Sequence, residues 1–515
     1  MTLDSRKDNL NSRNYLGGYF MLKKVLAFCF TLLLLFYSVP VHAAGVEEQD
    51  WQDQMIYYLI VDRFNNGDSS NDKNVNALNP LGYQGGDFQG IIDKLDYLED
   101  LGFTTVMLSP IFDNDDKGYD GSRIKDYYKT EEHFGSLKSF KKLVKEVHNR
   151  DMKIIIDFPT YQVSPENSLV QDSAKKDWFN GTTKDQLPVL NQENSQVKQY
   201  LIDAAKWWVN QTDIDGYFLS DADHFPESFW KGFSSTVKSK KSDLYLLGEV
   251  SSNSLIKNHE KAGFDGIMDH NLNQPMRDAF SNINQPIKPV LDIINQHKET
   301  YKNSNLIGAF YDNPNMKRYT RDMVNNNLFP GTRWKLALTY LYTQPEIPIV
   351  YYGTEIAVDG GNAPENRQMM NFRADKELID YMTMIGEIRQ MQPALRRGTM
   401  KTIYDKDGMV VFKREYKGKI NIVAINNTDK TQIVNISQDK LQDNKELRGL
   451  ISGGIEREDN GVFKLALDRE TSEIYNVVEK TGINYVMIAV LVAIWVAFIL
   501  FVVTVRKRGK NKKVQ

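Results

Sequence analysis

The chain has 515 residues, of which 41% are hydrophobic, 25% charged and 11% aromatic, which indicates a globular protein of several domains and excludes a disordered one. A single cysteine excludes a disulfide scaffold and a metal site built from cysteines. The formal charge of −3 argues against a basic nucleic-acid-binding protein, so we expect no nucleic-acid partner.

The first 44 residues resemble a secretory signal peptide. Lys23 and Lys24 precede the apolar run VLAFCFTLLLLFYSVPV, and Ala43 and Ala44 provide a small-residue cleavage site. Because residues 1–20 are polar, Met21 is an alternative start of the protein. We therefore predict a signal peptide over 1–44, with an uncleaved N-terminal anchor as the alternative.

Eight short apolar runs follow between residues 45 and 397, and helix-like stretches such as SFKKLVKEVHNRD separate most of them. The runs are apolar on both faces, which is typical of buried parallel strands. Eight strand–helix alternations predict an α/β fold, the (β/α)8 or TIM barrel, although periodicity alone also permits a doubly wound sheet. The expected strands are 55–61, 103–109, 153–158, 216–220, 244–249, 264–269, 306–311 and 347–352, with a short insertion at about 159–188.

The C-terminal part of the chain changes character twice. Over 398–478, short runs such as MVVFKREY and INIVAINN alternate with Asp, Asn and Gly turns, which predicts a small all-β sandwich. Residues 485–505 carry no charge, and such a run can cross a hydrocarbon core of about 30 Å. Six positive charges follow, so we predict a transmembrane helix over 483–505, a basic cytoplasmic tail over 506–515 and an ectodomain outside the cell membrane.

Several of these segments resemble the α-amylase family, glycoside hydrolase family 13. Among them are MIYYLIVDRFNNGDSSND, GGDFQGIIDKLDYLEDLGFTTVMLSPIF and GGNAPENRQMMNF. The resemblance covers about residues 54–478 and implies a barrel, a following β-sandwich and a role in carbohydrate metabolism. Members mostly cleave or transfer α-linked glucans by a retaining mechanism with two carboxyl groups close together.

The resemblance implies three catalytic acids at the C-terminal mouth of the barrel, and this sequence keeps one of them. Glu249 in YLLGEV matches the acid/base. Ser220 stands at the nucleophile position, and Phe218 stands at the position of the arginine beside it. Asn315 replaces the aspartate that stabilises the bound sugar, and a proline and a glutamine replace the two sugar-binding histidines.

Asp221 is the carboxylate nearest in sequence to the missing nucleophile. Because strand side chains alternate between two faces, we expect Asp221 to point away from the position of Ser220 unless a bulge re-aims it. The combined losses predict weak or no glycosidase activity. The alternatives are an active retaining α-glycosidase that uses Glu249 and Asp221, and an amylase-like ectodomain that binds a protein partner.

The family pattern also indicates residues that bind substrate. The resemblance implies that Tyr119 is the aromatic side chain on which the innermost glucose stacks, with an ordinary loop tyrosine as the alternative. Asp157 and Asn313 survive from the motifs at the mouth. These residues would bind an α-glucan or another cell-surface glycan.

The first loop matches a structural calcium site of the family, because closely spaced oxygen ligands on a loop with glycine suit calcium. The matching residues are Asn66, Asp68, Asn71, Asp72, Gly85 and Asp87. An Asn- and Asp-rich turn without an ion is the alternative. A second calcium site of the family looks lost, because Tyr161 and Val189 replace two ligands and His224 alone remains.

Overall fold

The computed structural model describes residues 50–250, 253–480 and 485–511, although not the side chains of 253–256, 485–487, 505 and 507–511. The predicted signal peptide over 1–44 lies outside the described residues. The architecture of the described part follows chain order: a barrel, two β-sheets and a C-terminal helix.

Eight parallel strands close into a barrel, which confirms the predicted (β/α)8 fold. Each strand pairs with its neighbours in sequence, and the first closes on the last, with Ile56 opposite Ile349. Their side chains are almost all buried, as the unbroken apolar runs predict. The strands are β1 Ile56–Leu59, β2 Thr105–Leu108, β3 Lys153–Asp157, β4 Gly216–Leu219, β5 Tyr245–Val250, β6 Gly266–Asp269, β7 Gly308–Ala309 and β8 Ile347–Tyr351.

Helices surround the barrel and direct one apolar face towards it. In the helix over Leu137–His148, for example, Ser136 caps the N-terminus and the buried side chains recur at helical spacing. The helices of the barrel region are α1 Phe88–Ile92, α2 Leu95–Asp100, α3 Leu137–His148, α4 Ser168–Gln171, α5 Ser195–Thr212, α6 Glu227–Lys238, α7 Asn253–Ala262, α8 His270–Phe280, α9 Lys288–Thr300, α10 Tyr319–Asn325, α11 Pro330–Thr343, α12 Glu377–Met391 and α13 Pro393–Arg397.

Two small hairpins project from the barrel loops. One joins Phe112–Asn114 to Ile124–Thr130, and the other joins Phe179–Thr182 to Pro188–Leu190. The second hairpin begins within the stretch that the sequence marks as a short insertion after β3. Both follow the C-terminal ends of barrel strands, so they belong to the face that carries the candidate site.

The following region is all β, as its alternating sequence predicts. A six-stranded antiparallel sheet has the order β9-β10-β11-β16-β13-β14, and a two-stranded sheet pairs β12 with β15. Side chains from both sheets, such as Ile422 and Phe463, form a separate apolar core. The strands are β9 Thr399–Lys406, β10 Met409–Tyr416, β11 Lys419–Asn426, β12 Gln432–Ser437, β13 Lys445–Gly449, β14 Ile455–Arg457, β15 Val462–Leu467 and β16 Thr471–Glu479.

The last element is α14, Tyr485–Asn511. Its described apolar side chains are exposed, Trp495 by 64% and Phe501 by 62%. Within the described part of the chain, no helix combines the length and the apolarity that a membrane crossing requires. Part of the predicted span over 483–505 lies outside the described residues, so that span stays a prediction from the sequence.

Candidate active site

The residues that the family pattern selects meet at the C-terminal ends of the barrel strands. Asp157 ends β3, Asp221 follows β4, Glu249 lies in β5 and Asn313 follows β7. In a parallel barrel these strand ends surround a single mouth. The predicted catalytic and substrate-binding positions of β3, β4, β5 and β7 are therefore neighbours in space.

Ser220, which the sequence comparison aligned with the nucleophile of the family, bonds to a buried carboxyl group. Ser220 Oγ donates a hydrogen bond to Asp157 Oδ1 over 2.6 Å, and both side chains are buried. Burial raises the pKa of Asp157 well above its usual range, although the bond from Ser220 opposes the shift, and the charges of Glu249 and Asp221 raise that pKa further. The Ser220 hydroxyl therefore donates its proton to a hydrogen bond with Asp157, a carboxyl group whose raised pKa favours the protonated form, which cannot act as a base.

Asp221 lies beyond the strand whose alternation was used to predict its direction. Strand β4 ends at Leu219, and Asp221 takes a left-handed backbone conformation with φ of 57°. Alternation applies only within a strand, so it does not determine the direction of the Asp221 side chain. Its side chain is exposed to solvent on one side, but neighbouring protein atoms also bury part of the carboxyl group. This burial is the largest cause that raises the pKa of Asp221, and the charge of Glu249 raises it further. The two carboxyls are therefore within electrostatic reach of each other.

Glu249 has two polar neighbours on adjacent strand ends. His270 Nε2 lies 3.1 Å from Glu249 Oε1, and Asn313 Nδ2 donates to the same oxygen over 3.5 Å. His270 begins α8 directly after β6. The sequence reasoning did not select His270; the signal that would have found it is a polar residue immediately after a barrel strand.

The floor of the mouth is aromatic. Phe218, at the arginine position, is 2% exposed and meets the Tyr58 ring edge-on at 5.7 Å. Tyr351 also contacts Tyr58, with ring centroids 5.9 Å apart. The residue that the sequence comparison aligned with the arginine of the family is therefore packed among aromatic rings.

Tyr119, the predicted sugar platform, is held among charged side chains and is 4% exposed. The Arg63 guanidinium lies over its ring at 3.9 Å. Arg367 donates to the Tyr119 hydroxyl over 3.3 Å, to Asp120 over 2.5 Å and to Asn315 Oδ1 over 3.3 Å. Neither arginine was selected from the sequence; both lie in segments that carry the family resemblance, VDRF and ENRQ.

The predicted calcium residues of the first loop also lie together. Asn66 Nδ2 donates to both carboxylate oxygens of Asp72 over 2.9 Å. Gly85 has φ of +97°, and a Cβ there would lie 2.6 Å from Asn66 Nδ2 and 2.9 Å from Asp72 Oδ1. Only glycine allows this approach of loop and backbone.

Asp68, Asn71 and Asp87 complete this group. Asp87 Oδ2 accepts the backbone N–H of Asp68 over 2.8 Å. Asn71 Oδ1 is buried and accepts no hydrogen bond. In the described residues, no group of three or more His, Cys, Asp or Glu side chains is arranged to hold a metal ion, so the loop would depend on amide and backbone oxygens as well.

Tyr161, Val189 and His224, which the sequence comparison aligned with the second calcium site of the family, lie in two contacts. Tyr161 and His224 stack with ring centroids 3.5 Å apart and an interplanar angle of 11°. Gln162 forms an antiparallel bridge with Val189. Two aromatic rings in contact and an apolar residue offer no oxygen shell for calcium.

Comparisons with known proteins place this barrel and its site in a family. Residues 58–185 match the catalytic domain of α-amylases, and residues 398–475 match the α-amylase C-terminal domain. Over 433 residues the chain is 30% identical to a cyclomaltodextrinase of Thermoanaerobacter pseudethanolicus, an alignment that covers 76% of this chain and 73% of that protein. The chain therefore belongs to the α-amylase family of glycoside hydrolases.

Solved structures are more similar still. The chain superposes on an α-amylase of Anoxybacillus with 47% identity and a TM-score of 0.82, covering 85% of this chain and all of that one. The α-amylase of Geobacillus thermoleovorans, complexed with acarbose, has 45% identity and a TM-score of 0.80. A β/α-amylase of Paenibacillus polymyxa is 29% identical over 464 residues, which are 38% of that longer protein.

Proposed function

We propose that this protein binds α-glucan at the mouth of its barrel and hydrolyses it weakly or not at all. The observation that carries the proposal is the hydrogen bond that Ser220, aligned with the nucleophile of the family, donates to Asp157. The relatives named amylase or cyclomaltodextrinase, one of them solved with acarbose, support α-glucan as the ligand class.

The chemistry explains why turnover should be low. A retaining glycosidase needs a carboxylate that attacks the sugar and an acid/base that protonates the leaving oxygen. Glu249 can supply the second, but Ser220 is committed to Asp157 and Phe218 supplies no positive charge beside it. Loss of a nucleophile alone typically costs several orders of magnitude in rate.

Reducing-sugar release from soluble starch tests the catalytic part of the proposal. We expect the purified protein to be at least about 10³-fold slower than the Anoxybacillus α-amylase measured beside it. Glu249→Gln should leave that residual rate unchanged. Faster turnover that Glu249→Gln abolishes would contradict the proposal.

Affinity electrophoresis in gels that contain soluble starch tests the binding part. The protein should be retarded relative to a gel without starch, and serum albumin run alongside should not. An unretarded protein would contradict glucan binding and would favour the alternative in which the ectodomain binds a protein partner.

An active α-glycosidase remains a second candidate because of Asp221. Its left-handed backbone and its electrostatic coupling to Glu249 are the features that favour a role as substitute nucleophile. In that case Asp221→Asn and Glu249→Gln would each abolish starch hydrolysis, whereas under the first proposal neither substitution changes the rate.

We also propose that the first loop binds one structural calcium ion. The buried and unpaired Asn71 Oδ1 supports this proposal, as does the close approach of Gly85 to Asn66 and Asp72. A hard cation with oxygen ligands would satisfy the amide and hold the loop beside the barrel. The ion would take no part in catalysis.

For the location of the protein we propose a single-pass anchor in the cell membrane. The uncharged run over 485–505, the six positive charges after it and the exposed apolar side chains of α14 support this proposal. The barrel and sheets would then lie outside the cell, where cell-surface glycan is accessible.

A further inference from the structure

We infer that Arg389 binds a small monovalent anion of the chloride type in the contact between the barrel and the six-stranded sheet. Arg389 lies in α12, and its neighbour Arg414 lies in β10. Both side chains bond to the end of α11, which stops four residues before β8 begins, so the site is at the N-terminal face of the barrel. The mouth is at the opposite face, and the inference is independent of the proposed glucan binding.

Arg389 is fully buried, and one of its three side-chain nitrogens makes all of its hydrogen bonds. Nη1 donates to the Tyr342 carbonyl over 2.9 Å and to the Leu395 carbonyl over 2.8 Å. Nε and Nη2 are buried as well, and neither has a hydrogen-bond acceptor among the described residues. One edge of the guanidinium, the edge that carries Nε and Nη2, is therefore left to bind something else.

Other arginines of this protein show what that edge binds. Arg277 holds Asp322 Oδ2 through Nε over 2.9 Å and through Nη2 over 2.5 Å. Arg397 holds the carboxylate of Asp53 through the same two nitrogens. Two N–H groups in one plane form a fork that recognises an anion. Arg389 presents the same fork without a carboxylate, so its chemistry fits an anion taken up from solution.

A second buried guanidinium increases the positive charge at this place. Arg414 donates through Nη1 to the Thr343 carbonyl and through Nη2 to the Gly398 carbonyl over 2.9 Å, whereas its Nε has no acceptor among the described residues. The two guanidinium groups are neighbours, because they bond to the consecutive carbonyls of Tyr342 and Thr343. Burial lowers the pKa of Arg414 to about 9, and the charge of Arg389 contributes to the shift. Arg414 is therefore still charged at pH 7.

The surrounding groups offset only part of this charge. The C-terminus of α11, which supplies two of the carbonyls, carries about half of a negative elementary charge. Asp53 is the carboxylate whose charge acts on Arg389, but Arg397 bonds to it directly and Arg396 lies 3.8 Å from it. A buried charge is costly unless it is paired. An anion on the Arg389 fork would pair with it.

Melting curves of the full-length protein in detergent test the inference. With EDTA present and the ionic strength constant, chloride in place of gluconate should raise the melting temperature by about 2 °C or more at tenfold excess over its Kd. Arg389→Lys keeps the charge but loses the fork, so it should lose this shift. Arg277→Lys is the matched control: it removes a buried fork that Asp322 fills, and it should melt earlier yet keep the full chloride shift.

Bromide, located by its anomalous scattering, gives a test that needs no variant. Crystals of the full-length protein grown with sodium bromide should show an anomalous peak beside Nε and Nη2 of Arg389. A missing peak, or equal melting temperatures in gluconate and in chloride, would overturn the proposal. A peak without a chloride-dependent melting temperature would show binding at crystal concentration only, and that result would overturn the proposal as well.

Discussion

At the scale of single residues, the pair formed by Asp157 and Ser220 has a consequence for stability. Burial raises the pKa of Asp157, so the folded protein holds a proton that the unfolded chain releases at its ordinary pKa of about 3.9. The unfolded chain therefore binds fewer protons between that value and the raised pKa. The free energy of unfolding therefore falls as the pH rises from about 3.9 to the raised pKa of Asp157, and at lower pH Asp157 causes no such loss.

Asp157→Asn should relieve this loss, because the amide has the same shape, carries no charge and still accepts the bond from Ser220. We expect the melting temperature at pH 7.5 to rise by about 2–4 °C for each kcal/mol recovered, and the gain to vanish near pH 4. Differential scanning calorimetry across pH 4–8 measures both.

Asp116→Asn is the control for the change in net charge, because Asp116 is exposed in the turn of the hairpin between Phe112–Asn114 and Ile124–Thr130. It should not alter the melting temperature at either pH. A variant Asp157→Asn that is less stable than the original protein at every pH would mean that the ionised carboxylate is required.

At the scale of elements, hydrogen bonds of Asp87 join the loop after β1 to the N-terminus of α1. Asp87 caps α1 by accepting the N–H of Gly90 over 2.6 Å, and its other oxygen holds the loop at Gly67. The same segment carries the proposed calcium ligands, so an ion there would tie the loop to the start of the helix.

Calcium should therefore raise thermal stability, since a ligand that binds only the folded state stabilises it by mass action. At 100 times its Kd, calcium would contribute about 2.7 kcal/mol. Melting curves with excess EDTA and with 1 mM calcium measure the shift, and Asp72→Ala should remove it.

Asp322→Ala provides a matched control for Asp72→Ala, because Asp322 pairs with Arg277 far from this loop in sequence. It should melt earlier than the original protein yet keep the full calcium shift. An original protein whose melting temperature ignores both EDTA and calcium would rule out the loop site.

At the scale of the whole molecule, the formal charge of −3 is the sum of positively charged and negatively charged segments. The tail over 506–515 carries six positive charges and follows the uncharged run over 485–505, whereas the barrel and sheets are acidic. This asymmetry is what the proposed membrane anchor rests on. The exposed apolar surface of α14 is the kind of surface that a soluble protein rarely leaves uncovered.

Replacement of Val492 and Val496 by arginine tests the anchor, since each arginine near the centre of a span costs about 2.5–3.5 kcal/mol. The full-length protein should stay in the membrane pellet after extraction with alkaline carbonate, and the double arginine variant should be released. Alanine at both positions should behave as the original protein does. Release of the original protein would contradict the anchor.

The sequence by itself determined the order of the domains and the identity of the residues at the mouth. Barrel strands buried on both faces read as unbroken apolar runs, and sheets exposed on one face read as alternation. The resemblance to the family then implied that Glu249 matches the acid/base and that Ser220 and Asn315 stand at the positions of two acids. The apolar runs and the alternation depend on residues close together in the chain, and for that reason pattern alone reveals them, whereas the site positions came from the resemblance.

Only the tertiary structure decided how the mouth is filled. Arg367 and Asp120 are 247 residues apart in sequence, and Ser220 and Asp157 are 63 apart. Strand β4 ends two residues before Asp221, the backbone there is left-handed, and burial and then the charge of Glu249, from another strand, raise the pKa of Asp221. Such contacts arise when distant strand ends meet around one barrel, and no local periodicity carries that information.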